Sequence, residues 1–100
     1  MFNIDNETIE LEEYAKSGKT PPKGKNYKFK VDKDSYTTDK EILTGEEILI
    51  IANKLPIDSY RLDMKLTGGM TKKINLTDDV SLVEAGVERF ITIKIDPTEG

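Results

Sequence analysis

Cysteine, histidine and tryptophan are all absent from the 100 residues. Without thiols or imidazoles there is no disulfide framework, no thiolate nucleophile, no imidazole base and no zinc site of the usual Cys/His kind. The serines at 17, 35, 59 and 81 therefore lack a histidine to activate them. Long apolar runs are missing too. The longest, Ile48 to Ala52, has five residues, against the roughly 20 that cross a bilayer. Met1-Phe2-Asn3-Ile4-Asp5 has neither the basic start nor the apolar stretch of a secretory signal. Excess positive charge is also absent: 19 acids oppose 15 bases, a net charge of −4, which argues against phosphate neutralisation as a binding mode. These absences lead us to expect a soluble cytoplasmic protein that is not an enzyme, holds no cofactor or metal, and binds neither nucleic acid nor membrane.

What is present amounts to one small domain with a modest core, since hydrophobic residues make up 36% and charged residues 34% of the chain. Charge is uneven near the start. Residues 1–14 carry five acids and no base, and residues 16–33 carry seven lysines and one aspartate. Between them, Ser17 to Lys25 holds two prolines and two glycines and no apolar side chain outside the prolines, the composition of a linker. We expect residues 1–16 to form an N-terminal arm. Asn6 can cap a short helix there, with Ile4, Leu11, Tyr14 and Ala15 near one face. Leu11 and Tyr14 are the arm's candidate partner-binding residues. Residues 17–26 are then the linker and 27–95 the folded domain.

Within 27–95 the periodicity alternates between two and 3.6. Tyr27, Phe29 and Val31 alternate with Lys28 and Lys30 as in a half-buried strand, Asp32 to Ser35 reads as a turn, and Tyr36 to about Ile42 reads as the returning strand. Thr44 and Glu47 form a capping-box pair, so a helix is expected over 45–55. Its buried stripe would be Ile48, Ile51, Ala52 and Leu55, with Pro56 ending it. Tyr60 to Leu66 and Met70 to Leu76 predict two more strands around Gly68-Gly69. The strongest strand signal is Val87 to Ile95, with Ile91, Ile93 and Ile95 facing one way. The order ββαβ(β)β specifies an α+β domain. Pairing 27–31 in parallel with 87–95 removes two aggregation-prone edges and yields a β-grasp, a mixed four- to five-stranded sheet wrapped on one helix.

Several local patterns resemble sites and fail on detail. Asp32-x-Asp34 opens like a calcium loop, but Thr37 and Leu43 stand where glycine and glutamate are needed. Asp78-Asp79 has no partner base and reads as a turn, and Gly68-Gly69 lacks the Gly-Lys-Ser/Thr ending of a phosphate loop. The last five residues are different. Asp96, Pro97, Thr98, Glu99 and Gly100 offer no apolar anchor, and extended they span at most about 17 Å. Gly100 has no Cβ, so its carboxylate can enter a narrow channel and be attacked with little hindrance.

Three segments together resemble the prokaryotic multiubiquitin-type ubiquitin-like domain found in bacterial ubiquitination-like operons. They are Leu11 to Ala15 with Pro21 to Lys25, Tyr27 to Asp32, and Leu43 to Leu49 with Ala52-Asn53-Lys54; Gly86 to Phe90 extends the match. The resemblance implies a protein modifier. An activating enzyme would adenylate the Gly100 carboxylate with Mg-ATP, a conjugating enzyme would pass it to target proteins, and a JAB-type metallopeptidase of the same operon would trim or release it. Antiphage defence is implied by that operon type alone. Strand alternation further places Lys28 and Lys30 beside Thr92 and Lys94 on the outward sheet face, a basic stripe suited to an acidic surface on a processing enzyme. A non-covalent β-grasp adaptor and a sulfur carrier acting through a terminal thiocarboxylate are the competing readings.

Overall fold

Alternating apolar and lysine side chains build the first long strand, in which Tyr27, Phe29 and Val31 are buried while their neighbours face outward. The computed structural model describes residues 8–24 and 26–95. In chain order these form β1 (Thr8–Glu10), α1 (Leu11–Lys16), β2 (Asn26–Val31), β3 (Asp34–Thr38) and β4 (Ile42–Thr44). They are followed by α2 (Gly45–Ile51), a 3-10 turn at Ile57–Ser59, β5 (Tyr60–Leu66), β6 (Thr71–Ile74), β7 (Asp79–Ser81) and β8 (Val87–Lys94). The fold is α+β, a mixed sheet with two short helices that each contribute buried apolar residues to the core.

A strand has two edges, and β2 is paired on both. β3 pairs antiparallel along one edge from Tyr27↔Thr38 to Val31↔Asp34. The other edge is divided: β1 pairs in parallel over Thr8↔Asn26 to Glu10↔Lys28, and β8 pairs in parallel at Val31↔Phe90. β8 then continues antiparallel to β5, and β5 to β6, giving a six-stranded sheet. A separate two-stranded sheet joins β4 to β7.

Register fixes the faces. Because Val31 pairs with Phe90 and Phe90 with Met64, these residues share the core side with Tyr27, Phe29, Leu62 and Ile74. Phe29 and Phe90 meet edge to face at 5.9 Å between centroids, a favoured aromatic geometry. The capping box forms as expected, with the Glu47 amide donating to Thr44 Oγ1 (3.1 Å) and the Thr44 amide donating to Glu47 Oε1 (2.9 Å). The hydrogen bond from the Thr44 amide, aided by Lys40, holds the Glu47 pKa below its ordinary value against the opposing effect of desolvation.

The structure corrects several sequence expectations. The arm contains a strand ahead of its helix, and α1 starts after Glu10 rather than after Asn6. Thr8-Ile9-Glu10 alternates around a β-branched residue and meets the vacant half-edge of β2, which a helix cannot use. Ile4 and Asn6 lie outside the described residues. Asn26, assigned to the linker, begins β2, and Pro21 within the linker is buried. The strand expected over 36–42 is broken after Thr38, and Ile42–Thr44 turns away to pair with β7. α2 ends at Ile51, not 55. Asn53 adopts a left-handed φ of 59°, and the Lys54 amide donates to Leu49 O while that of Asn53 donates to Ile50 O, a Schellman cap. The buried stripe is consequently Gly45, Ile48, Leu49 and Ala52, and Leu55 is 56% exposed. Asp79 is the first residue of β7, while Asp78 accepts from the Asn75 amide as a turn residue does.

Gly45 opens α2 against the backbone at Asn75, where a Cβ would collide with the Asn75 carbonyl oxygen. Backbone cannot yield as a side-chain tip can, and overpacking of this kind costs about 1–3 kcal/mol. Gly45→Ala is therefore expected to lower the urea midpoint more than Thr44→Ala, whose lost cap is worth about 1 kcal/mol. Equal midpoints for Gly45→Ala and wild type would contradict this packing.

Candidate functional site

Two regions carry the residues singled out by the sequence: the divided edge of β2 and the point where β8 leads into residues 96–100. At the first, the lysines of β2 are met by acids of the arm. Lys28 Nζ lies 3.4 Å from Glu10 Oε2, and Lys30 Nζ 2.9 Å from Glu12 Oε1. Arg89, on the same outward face because it precedes Phe90, reaches Glu12 Oε2 at 3.3 Å. Glu12 thus sits between two cations. The Lys30 hydrogen bond is the main reason its pKa is lowered, overcoming the desolvation that opposes it.

Thr92 and Lys94 do not join this stripe. Both share the parity of Phe90 and so belong to the core side of β8, whereas Ile91 and Ile93 share the outward side with Arg89. The expected placement reversed because Ile91, Ile93 and Ile95 mark the odd-numbered phase as the apolar one, whereas the pairing with Val31 seats Phe90, the one apolar residue of the even-numbered phase, on the core side. Leu11 is likewise unavailable to a partner, being 1% exposed within the core. Tyr14 is half-buried against that core. Lys28 and Lys30 do lie together on the outward face, joined by Arg89.

Thr92 has a different role. Asp32 leaves β2 with a left-handed φ of 57°, a conformation aspartate tolerates better than most residues. Its carboxylate accepts the Thr92 amide at 2.9 Å and the Thr92 hydroxyl, while Lys54 Nζ stands 3.4 Å away. The Asp32 amide in turn donates to Phe90 O at 2.8 Å. Desolvation opposes the Asp32 charge, but the two Thr92 hydrogen bonds and Lys54 outweigh it, so its pKa is lowered. Lys54 also lies over the Tyr60 ring, 5.8 Å from its centroid, within cation–π range. Sequence reading placed Asp32 only in a turn. Asp32, Lys54, Glu12 and Arg89 were missed because their partners are distant in sequence.

At the second region, β8 ends at Lys94 and the Ile95 amide donates to Ser59 O at 2.8 Å. Ile93 and Ile95 are 46% and 44% exposed there. Beside Ile95 lies a recess of about 380 Å³ whose lining mixes apolar residues such as Ile57, Leu62 and Ile74 with the charged Asp58, Arg61 and Lys73. Asp96, Pro97, Thr98, Glu99 and Gly100, the expected tail, lie outside the described residues. Among the described residues no group of three or more acids is arranged to hold a metal ion, and no helix is long and apolar enough to cross a membrane.

Compared with known proteins, residues 27–95 match the family model described as Multiubiquitin. No curated protein and no solved structure matches the chain.

The lowered pKa values of Asp32 and Glu12 carry a pH consequence. A carboxyl whose folded pKa is depressed stabilises the fold above its unfolded value and loses that contribution as pH falls through the folded one. Stability should therefore decline as pH drops below the ordinary values of 3.8 for Asp32 and 4.5 for Glu12. Urea unfolding of Asp32→Asn is expected to show lower stability than wild type at pH 7 and a shallower loss between pH 4 and pH 2. An unchanged acid slope in the variant would contradict the assignment.

Proposed function

The chain belongs to the Multiubiquitin family, and on that premise we propose that this ubiquitin-like domain is a protein modifier conjugated through the carboxylate of Gly100. The carboxylate, encoded last or freed by processing, attacks the α-phosphorus of Mg-ATP on an activating enzyme and releases pyrophosphate. An enzyme thiolate then displaces AMP to give a thioester, which a conjugating enzyme receives by thiol exchange. A lysine amine or a hydroxyl of a target attacks the thioester carbonyl, expels the thiolate and leaves an isopeptide or ester. A JAB-type metallopeptidase reverses the bond or trims the precursor. The setting is the bacterial cytoplasm, in a ubiquitination-like operon with a role in antiphage defence.

The observation that carries this reading is the family match over residues 27–95, which ends where β8 gives way to Asp96–Gly100. β8 is held on one side by β5 and on the other by β2, so a pull on the tail is borne by the centre of the sheet. The exposed Ile93 and Ile95, with the recess beside Ile95, stand where β8 ends. They suit an activating or conjugating enzyme that must grip the domain while drawing Gly100 into its active site.

N-terminally tagged protein, expressed with the enzymes of its operon and compared with a form lacking Gly100, tests the proposal on denaturing gels. Higher-mass species that survive boiling and disappear with Gly100 are expected, and hydroxylamine separates ester from amide. Monomer mass alone in both forms, with the operon active, would transfer the weight to the non-covalent adaptor.

A further inference from the structure

The family match begins at Tyr27, yet the described segment before the linker is built into the same fold. Thr8–Glu10 adds a strand to β2, and Ile9, Leu11 and Ala15 of the arm are buried. Thr67 Oγ1 donates to the Ala15 carbonyl at 3.1 Å. Neither part of the arm is stable by itself, since three strand residues and a helix of six residues fall well below the roughly 12–15 that an isolated helix needs. The seat is equally incomplete alone. β8 meets β2 only at Val31, so without the arm the Asn26–Lys28 edge would show unpaired backbone groups above holes at the Ile9, Leu11 and Ala15 positions.

We propose that this seat accepts the arm of a second copy of the chain, so that two molecules exchange residues 8–16 and form a closed two-fold dimer. Every contact named above is the same whether the arm comes from its own chain or from a neighbour, the condition under which exchange costs little. Arm and seat are also complementary in charge: Glu10 and Glu12 on the arm pair with Lys28, Lys30 and Arg89 on the seat. The connection between them is lightly held. Residues 17–20 and 22–24 are exposed, while Pro21 is buried and the Gly24 amide donates to Tyr27 Oη at 2.9 Å. The adjacent Pro21 and Pro22 favour an extended linker. In cis the short linker supplies an effective concentration of roughly millimolar order, so exchange grows with protein concentration and in tandem copies. It concerns the arm alone and is independent of chemistry at Gly100.

A pair of charge-swapped full-length chains provides the test. One carries Glu10→Lys with Glu12→Lys, giving a basic arm on a basic seat; the other carries Lys28→Glu with Lys30→Glu, giving an acidic arm on an acidic seat. Each chain mismatches itself at the 10–28 and 12–30 pairs, and exchange between the two restores both in each seat, Arg89 being unchanged in the two chains. Native mass spectrometry of an equimolar mixture is expected to show heterodimer at least tenfold above either homodimer. As a control that does not depend on the variants folding, unlabelled and ¹⁵N-labelled wild-type chains are unfolded together and refolded across a concentration series. Mixed-label dimer should appear, with the dimer-to-monomer ratio rising about tenfold for a tenfold rise in concentration while dimer is the minor species. Monomer alone at every wild-type concentration, or folded variants that show no preference for the heterodimer, would overturn the proposal.

Discussion

Everything in this fold follows from how one strand's edge is divided. β2 gives its first edge wholly to β3 and splits the second between β1 at Asn26–Lys28 and β8 at Val31. The parallel contact between β2 and β8 is thereby reduced to a single residue pair, with the Asp32 amide on Phe90 O beyond it. Side chains extend what the backbone leaves short. Asp32 reaches past the end of β2 to hold the Thr92 amide and hydroxyl, and Phe29 packs edge to face on Phe90 below. On the other side of the sheet, Glu12 draws Lys30 and Arg89 together across the gap where the two strands part. The seam is closed at one end by an aspartate and at the other by the arm.

Local signals were largely legible in the sequence. Thr44 and Glu47 announced the helix start because a capping box is complete within four residues, and Tyr27 to Val31 announced a strand because one phase is apolar and the other lysine. Val87 to Ile95 shows the limit. Its strand character is plain, but Ile91, Ile93 and Ile95 point to one phase as the core side, whereas the register with Val31 seats Phe90 of the other phase there and carries Thr92 and Lys94 with it. The end of α2 was misplaced for a related reason: Leu55 fits helical spacing, yet Asn53 in a left-handed cap had already turned the chain. The arm was hidden most completely. A three-residue strand carries almost no pattern, and what stabilises it is the vacant half-edge of a strand 18 positions later in the chain (Thr8↔Asn26).

The same geometry shapes the functional reading. The basic stripe on the outward face is already engaged, because Lys28 and Lys30 are matched by Glu10 and Glu12 of the arm. The exposed apolar residues Ile93 and Ile95 stand instead at the end of β8, next to the segment proposed to carry the reacting carboxylate. A domain that is gripped at Ile93 and Ile95 while its tail is drawn away needs a central strand that does not slip. β8 meets that need through its long antiparallel pairing with β5 from Tyr60↔Lys94 to Leu66↔Val87.

Peptide mapping of the covalent product addresses the modifier assignment most directly. Cleavage after Lys94 leaves Ile95-Asp96-Pro97-Thr98-Glu99-Gly100 attached to whatever residue accepted the carboxylate. The account predicts branched peptides bearing this six-residue remnant on lysine, serine or threonine of other proteins. Recovery of the terminal peptide only in its free, linear form, from cells in which the operon's enzymes are active, would contradict it.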